Sequence, residues 1–288
     1  MSTPWSIVAA DTLDDLLAVM QHNPGCRPLA GGTDLLVQKQ LRPLDGEPCV
    51  DISRIPELAG ISRTSAGDWR IGATTSYSQI LADPVLCETF PMLARAAGLT
   101  GGWAIQNRGT LGGNLANASP AADSPPALMC YEAELELVGP SGSRQMPLAD
   151  FFLDYRRTAL RPGELIAAIL VPARDPRVWH ESYTKVGTRE AQSIAKLSLA
   201  IALHLEDGIV LQAFLAGGAL APTCVRLIEC ETLLVGARFE RALIPRLQDS
   251  LQRAIHPIDD LRSNEHYRRR VASALLERAL RTAMKGTA

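Results

Sequence analysis

Apolar and polar positions along the chain fall into three stretches. Near the start, Thr12 is placed to cap a helix running to about Gln21, with Asp15 as its capping-box partner. A short apolar segment, residues 28–30, runs into Gly31-Gly32, and Thr33 or Asp34 opens a helix over residues 35–41. Residues 49–52 read as a strand, which completes a small α/β unit.

In the second stretch, residues 58–63 and 68–73 predict a hairpin around Ser65-Ala66-Gly67. Residues 75–81 and 91–99 read as helices. The Gly-Gly pairs between residues 98 and 114 exclude one long helix there. Pro125 leads a helix over residues 125–132. Residues 134–138 and 144–147 predict another hairpin, turning at 139–142, and residues 164–171 a strand.

The run from Pro172 to Pro176 carries turn and charge signals. Beyond it, strands are expected at residues 180–186, 195–206 and 209–215, the last two joined at Glu206-Asp207-Gly208. Helices are expected at 225–234, 242–254 and 265–284. In the last of these Val271, Ala274, Leu275 and Ala279 recur near helical spacing, with arginines between. Antiparallel strands followed by helices predict an α+β domain beginning near residue 175. No solenoid-type repeat is present.

Length and charge narrow the function classes. The chain has 288 residues, the size of two domains, and a formal charge of −2 spread along its length. No basic run stands ready to neutralise phosphates, and the three arginines at 268–270 read as the solvated face of a helix, so nucleic acid is not expected as a partner. Residues 1–13 lack a basic n-region and a long apolar core, and no run is long enough to span a bilayer. A cytoplasmic chain without membrane insertion is expected. Cysteines at 26, 49, 87, 130, 224 and 230 form no C-x-x-C pair, which fits reduced thiols in or near cores better than disulfides or an iron–sulfur site. Five scattered histidines without an H-E-x-x-H pattern suggest no zinc, so no metal ligands are assigned.

The candidate chemistry lies in two glycine-rich segments. The first comprises Leu29, Ala30, Gly31, Gly32, Thr33, Asp34 and Leu35. Its paired glycines can expose backbone donors to an anion, the Thr33 hydroxyl adds another, and the helix that follows points its positive end back. Asp34 is out of place beside a phosphate and suits a helix cap or an acceptor for a ligand hydroxyl or ring N–H. The second segment repeats the chemistry with Thr110, Leu111, Gly112, Gly113 and Asn114, followed by Asn117, Ala118, Ser119, Asp123 and Ser124. Two such loops converging on one point suit a doubly charged group such as a dinucleotide pyrophosphate. Asp123 fits either an acceptor for sugar or ribitol hydroxyls or the N-cap of the helix near Pro125.

Other nucleotide sites lack support. There is no G-x-x-x-x-G-K-[ST] loop, and no G-x-G-x-x-G between a strand and a helix with an acidic residue suitably spaced. Neither a G-x-S-x-G elbow nor a cysteine–histidine pair marks a nucleophile, and no catalytic residue is assigned. A dinucleotide cradle without acid–base machinery is what a flavin needs when the cofactor itself does the redox work.

AGGTDLL at residues 30–36, with IQNRGTLGGNLANASPAADS at 105–124, resembles the FAD-binding medium subunit of the molybdenum hydroxylases, the xanthine dehydrogenase and carbon monoxide dehydrogenase family. Residues 151–166, 185–203 and 214–227 resemble it too. The resemblance implies an α+β chain with a two-part FAD-binding domain of the vanillyl-alcohol-oxidase (PCMH) type at residues 1–175, its subdomains at about 1–55 and 56–175. A C-terminal α+β domain of the carbon monoxide dehydrogenase flavoprotein type would fill residues 176–288.

It implies two pyrophosphate loops at residues 30–34 and 110–114, Asp123 beside the flavin chain, Ile166 packing near the cofactor, and Lys185 close to the flavin ring. Arg189, Gln192 and Ile194 would lie on the loop over that ring. Read without the resemblance, Ile166 is core and Lys185 a solvated charge. Gln106 stands where the family commonly has a cation, with Arg108 nearby. Some relatives hold an extra iron–sulfur cluster in this subunit, which the cysteine spacing here does not support.

FAD is thus expected in this chain, with the molybdenum cofactor and two [2Fe–2S] clusters on partners: a molybdopterin-binding large subunit and a [2Fe–2S] small subunit, assembled as a dimer of heterotrimers. Electrons would pass from the clusters through FAD to NAD+ or another acceptor. The alternatives are a stand-alone FAD-dependent oxidase or reductase of the same fold, and a FAD-binding assembly module.

Overall fold

The computed structural model describes residues 6–41 and 48–286; residues 1–5 and 42–47, which belong to the expected first subdomain, and residues 287–288 lie outside it. The first layer holds β1 (Ile7–Ala9), α1 (Leu13–His22), β2 (Arg27–Leu29), α2 (Leu35–Leu41) and β3 (Cys49–Asp51). The three strands form a parallel sheet in the order β1-β3-β2. Thr12 caps α1 by accepting the Asp15 N–H at 3.1 Å. Leu16 and Met20 of α1 pack with Val50 and Ile52, and the same cluster takes in Val138, Leu165 and Ala167 of the next sheet. β1 is an apolar run of three residues, exposed throughout and too short to show the alternation that announces a strand.

Next come β4 (Ile61–Arg63), β5 (Trp69–Gly72), α3 (Tyr77–Ala82), α4 (Pro84–Thr89), α5 (Pro91–Leu99), α6 (Trp103–Arg108), α7 (Leu111–Ala116) and α8 (Ser124–Cys130). After them run β6 (Glu134–Gly139), β7 (Gly142–Pro147), the small hairpin β8 (Phe152–Asp154) and β9 (Arg157–Thr158), and β10 (Leu165–Val171). Five strands form an antiparallel sheet ordered β4-β5-β10-β6-β7. The glycine-rich stretch between α5 and α8 resolves into two short helices, α6 and α7, broken at Gly109-Thr110.

The remainder is β11 (Trp179–Val186), β12 (Leu197–Glu206), β13 (Ile209–Gly218), β14 (Val225–Arg226), α9 (Ile228–Leu234), α10 (Leu243–Ala254) and α11 (Glu265–Gly286). The four strands are antiparallel in sequence order. The helix expected from residue 225 begins only at Ile228, because Val225 and Arg226 pair with Gly217 and Ala216 as a fourth strand. β12 is buried on both faces. Leu197, Leu199, Ile201 and Leu203 join the core built with α9, α10 and α11, while Ala200 and Ala202 join the core of the preceding domain. Alternate side chains on a strand face opposite ways, so one strand serves two cores, with large residues on one side and small ones on the other.

Buried charge crosses the same junction. Arg174 pairs with Glu181 and lies over the rings of Tyr131 and Trp179, at 4.6 and 4.0 Å from their centroids. The Tyr131 hydroxyl donates to the other Glu181 oxygen at 2.6 Å. Among the described residues no helix is long and apolar enough to cross a membrane.

Candidate functional site

The two glycine segments meet. A Cβ on Gly31 would sit 1.7 Å from the Arg108 carbonyl oxygen, and one on Gly109 would sit 3.4 Å from the Thr33 hydroxyl. Gly32 adopts φ +74°, which turns the chain from β2 toward α2. The second segment is stapled to the chain leaving β5. Leu111 N–H donates to Thr75 O, Gly112 N–H to Ala73 O, and Tyr77 N–H to Gly109 O. A Cβ on Gly112 would lie 2.5 Å from that of Ala73.

The loops differ in what they leave free. Thr110 caps α7, its hydroxyl accepting the Gly113 N–H at 3.1 Å, and its carbonyl accepts the Asn114 N–H. The amides of Leu111, Gly112, Gly113 and Asn114 are therefore all engaged within the protein. This corrects the expectation that the second glycine pair exposes backbone donors: its glycines serve close packing and capping. In the first loop, the five consecutive N–H groups of Gly31, Gly32, Thr33, Asp34 and Leu35 have no acceptor among the described residues. Asp34 is bonded to Gln38 on its own helix, and the second Gln38 contact is Asn117 Oδ1 at 3.1 Å. Asn114 Oδ1 is buried without a partner. Ala118 closes α7 at φ +47°, buried.

A second cluster lies under the C-terminal sheet. Lys185, on β11, donates from Nζ to Asp123 Oδ2 at 2.7 Å and to Leu99 O at 2.8 Å, with only 5% of its side chain exposed. Lys185 is thus no solvated charge. Asp123 occupies the N-cap position of α8, but its side chain makes no capping bond there and turns to Lys185 instead. Burial pushes its carboxyl up to about 6, against the opposing pull of Lys185, and its Oδ1 has no partner. The Tyr183 hydroxyl donates to the Asp123 carbonyl, and Tyr77 and Ser124 hydroxyls meet at 3.2 Å beneath it. Ile166 is buried in β10 within the main core, beside an irregularity in the pairing with β6. Gln192, at φ +52°, donates its N–H to Gly101 O, so the loop after β11 rests on the turn before α6; Ile194 on that loop is half exposed.

Residues 3–174 match the family model for the FAD binding domain in molybdopterin dehydrogenase, and residues 182–283 that for the CO dehydrogenase flavoprotein C-terminal domain. The chain belongs to the FAD-binding medium subunits of the molybdenum hydroxylase family. It is 32% identical over 277 residues to the glyceraldehyde dehydrogenase medium chain of Sulfolobus acidocaldarius, covering 96% of this chain and 97% of that one. It is 33% identical over 256 residues to the carbon monoxide dehydrogenase medium chain of Hydrogenophaga pseudoflava, covering 88% of each. The solved carbon monoxide dehydrogenase of that organism superposes with a TM-score of 0.93 at 30% identity, over 99% of both chains.

As a medium subunit of this family, the chain is an oxidoreductase component, and its donor set fits FAD. Five unpaired amides suit phosphate oxygens, and the orphaned oxygens of Asn114 and Asp123 suit ligand hydroxyls or N–H groups. Gln106 is buried and donates to Gly98 O at 3.1 Å, so it holds the end of α5. Sequence reasoning did not single out Gln38 or Arg156. Arg156 lies at the tip of the β8–β9 hairpin and donates to Asn117 Oδ1 at 3.2 Å. Its signal was the polar, turn-like run 154–157 between apolar flanks, but nothing local shows which segment it reaches.

Proposed function

We propose that this chain is the FAD-carrying electron relay of a heteromeric molybdenum hydroxylase. The observation that carries the reading is the row of unpaired amides from Gly31 to Leu35 set against the capped loop at Thr110. The first jaw comprises Leu29, Ala30, Gly31, Gly32, Thr33, Asp34 and Leu35, and its N–H groups bind the pyrophosphate. The second comprises Thr110, Leu111, Gly112, Gly113 and Asn114. Its glycines let α7 close against β5, and the Thr110 hydroxyl and the side-chain carboxamide of Asn114 face the cofactor.

Ala118 and Ile166 wall the site, Asp123 accepts from the flavin chain, and Lys185 places a cation near the ring. FAD bound here supplies the exchange between one-electron and two-electron carriers. No side chain of this subunit has to move a proton to substrate.

Support for partners comes from the relatives, which are medium chains and subunits of dehydrogenases. The molybdenum cofactor belongs to a molybdopterin-binding large subunit and two [2Fe–2S] clusters to a small subunit, in a cytoplasmic dimer of heterotrimers, with NAD+ or another acceptor taking the electrons. The test is flavin bleaching in the chain purified alone and together with those two subunits. Bleaching by the substrate of the large subunit, seen only with both partners present, is expected. Bleaching of the lone chain by a small substrate would make it a self-sufficient oxidase or reductase. A flavin that stays oxidised in the full complex would leave an assembly module.

A further inference from the structure

We propose that Arg156 is a phosphate-binding residue of the dinucleotide cradle; this rests on the FAD-binding reading above. The cradle is short of positive charge where it is expected to hold two phosphates. The jaw at residues 29–35 carries a carboxylate, Asp34, and position 106 is a neutral glutamine committed to Gly98. Arg108 is exposed, and its guanidinium has no hydrogen-bond partner among the described residues. Arg156 is tied to the cradle instead. Its Nη1 lies 3.2 Å from Asn117 Oδ1, and the Asn117 N–H donates to Gly113 O at 3.0 Å.

The same Asn117 oxygen accepts from Gln38, whose Nε2 also reaches Asp34. Asp34, Gln38, Asn117 and Arg156 thus form one side-chain chain across both jaws. It draws the Asp34 carboxylate toward Gln38 and brings a guanidinium to the rim. The hairpin that delivers it is anchored. Phe151 is fully buried, its ring lies 5.3 Å from that of Phe152, and Ala159 N–H closes on Phe151 O at 2.9 Å. Arg156 itself adopts φ +52°, the left-handed residue of the two-residue turn between Asp154 and Arg157. A guanidinium offers a planar donor fork suited to phosphate oxygens.

The experiment strips FAD from the full chain and measures rebinding of FAD and of riboflavin, which lacks the phosphates, by flavin fluorescence at low and high salt. R156Q is expected to bind FAD about tenfold more weakly, the loss of one charge-assisted contact. Its FAD affinity should also fall less steeply with salt, while riboflavin binding stays unchanged. R156K should recover part of the loss, and R108Q should match wild type. Wild-type FAD affinity and salt dependence in R156Q would overturn the proposal. So would equal losses for FAD and riboflavin, which would mark a structural tie, or a loss carried by R108Q instead. A wild-type chain that takes up no FAD at all would overturn the underlying reading rather than the role of Arg156.

Discussion

Gly31 packs its α-carbon against the carbonyl of Arg108 so closely that any side chain there would meet that oxygen at 1.7 Å. This contact joins the two jaws, and it makes Gly31 a packing requirement as well as a donor. G31A is expected to lower the melting temperature, at the roughly 1–3 kcal/mol of an overpacked site, and to abolish flavin retention. The ratio of flavin to protein absorbance reads the second effect. G25A is the control, since nothing lies within 4 Å of the added Cβ; it should behave as wild type.

Thr110 connects capping to the site, since its hydroxyl accepts from Gly113. T110A is expected to cost about 1 kcal/mol in chemical denaturation, the usual cost of an N-cap, and to weaken FAD binding. T110S should restore both. G113V, whose Cβ would lie 2.8 Å from the Thr110 hydroxyl, and G32V, which forces a branched residue to φ +74°, should both lose the flavin. Full flavin occupancy in both valine variants would sink the cradle.

Asp123 gives a pH signature. Its carboxyl titrates near 6 in the folded chain because burial outweighs Lys185, against an ordinary value of 3.8. The folded state therefore holds this proton more tightly than the unfolded one. Stability from the protonated form is complete below about pH 4 and is lost as pH rises through 6. The span corresponds to on the order of 3 kcal/mol. D123N has no such titration, so in flavin-free protein its stability should gain on wild type between pH 4 and 6. Parallel pH profiles for the two proteins would refute this.

At the domain junction, R174A or E181A should destabilise the full chain by about 3–5 kcal/mol, because each leaves a buried charge without its partner. Urea denaturation measures it. The exposed pair of Arg177 and Asp175 offers the contrast, and R177A should leave the midpoint unchanged.

Much of the fold was legible in local patterns. The Thr12 cap, the hairpins around Gly67 and Gly142, and the long strands β12 and β13 follow from capping, turn and apolar signals spelled out within a few residues. The three-residue β1 and the two-residue β14 are too short to show an alternation of apolar and polar positions, and exist through pairing with distant strands. At the site, both glycine pairs stood out, yet their roles looked alike. Only one of the two keeps its amides free.

The chain's own order of residues determined where the backbone can tighten, which segments bury themselves and which family the chain resembles, because those depend on side-chain size and on neighbours a few positions away. Tertiary structure decided the rest. Asp123 finds Lys185 62 residues on, and Gln38 finds Asn117 79 residues on. Whether an amide is spent on the protein or left for a ligand, and whether a lysine is solvated or buried against a carboxylate, depends on which distant surfaces fold together. Hydrogen bonds and desolvation act over a few ångströms of space, and separation along the chain does not encode that distance.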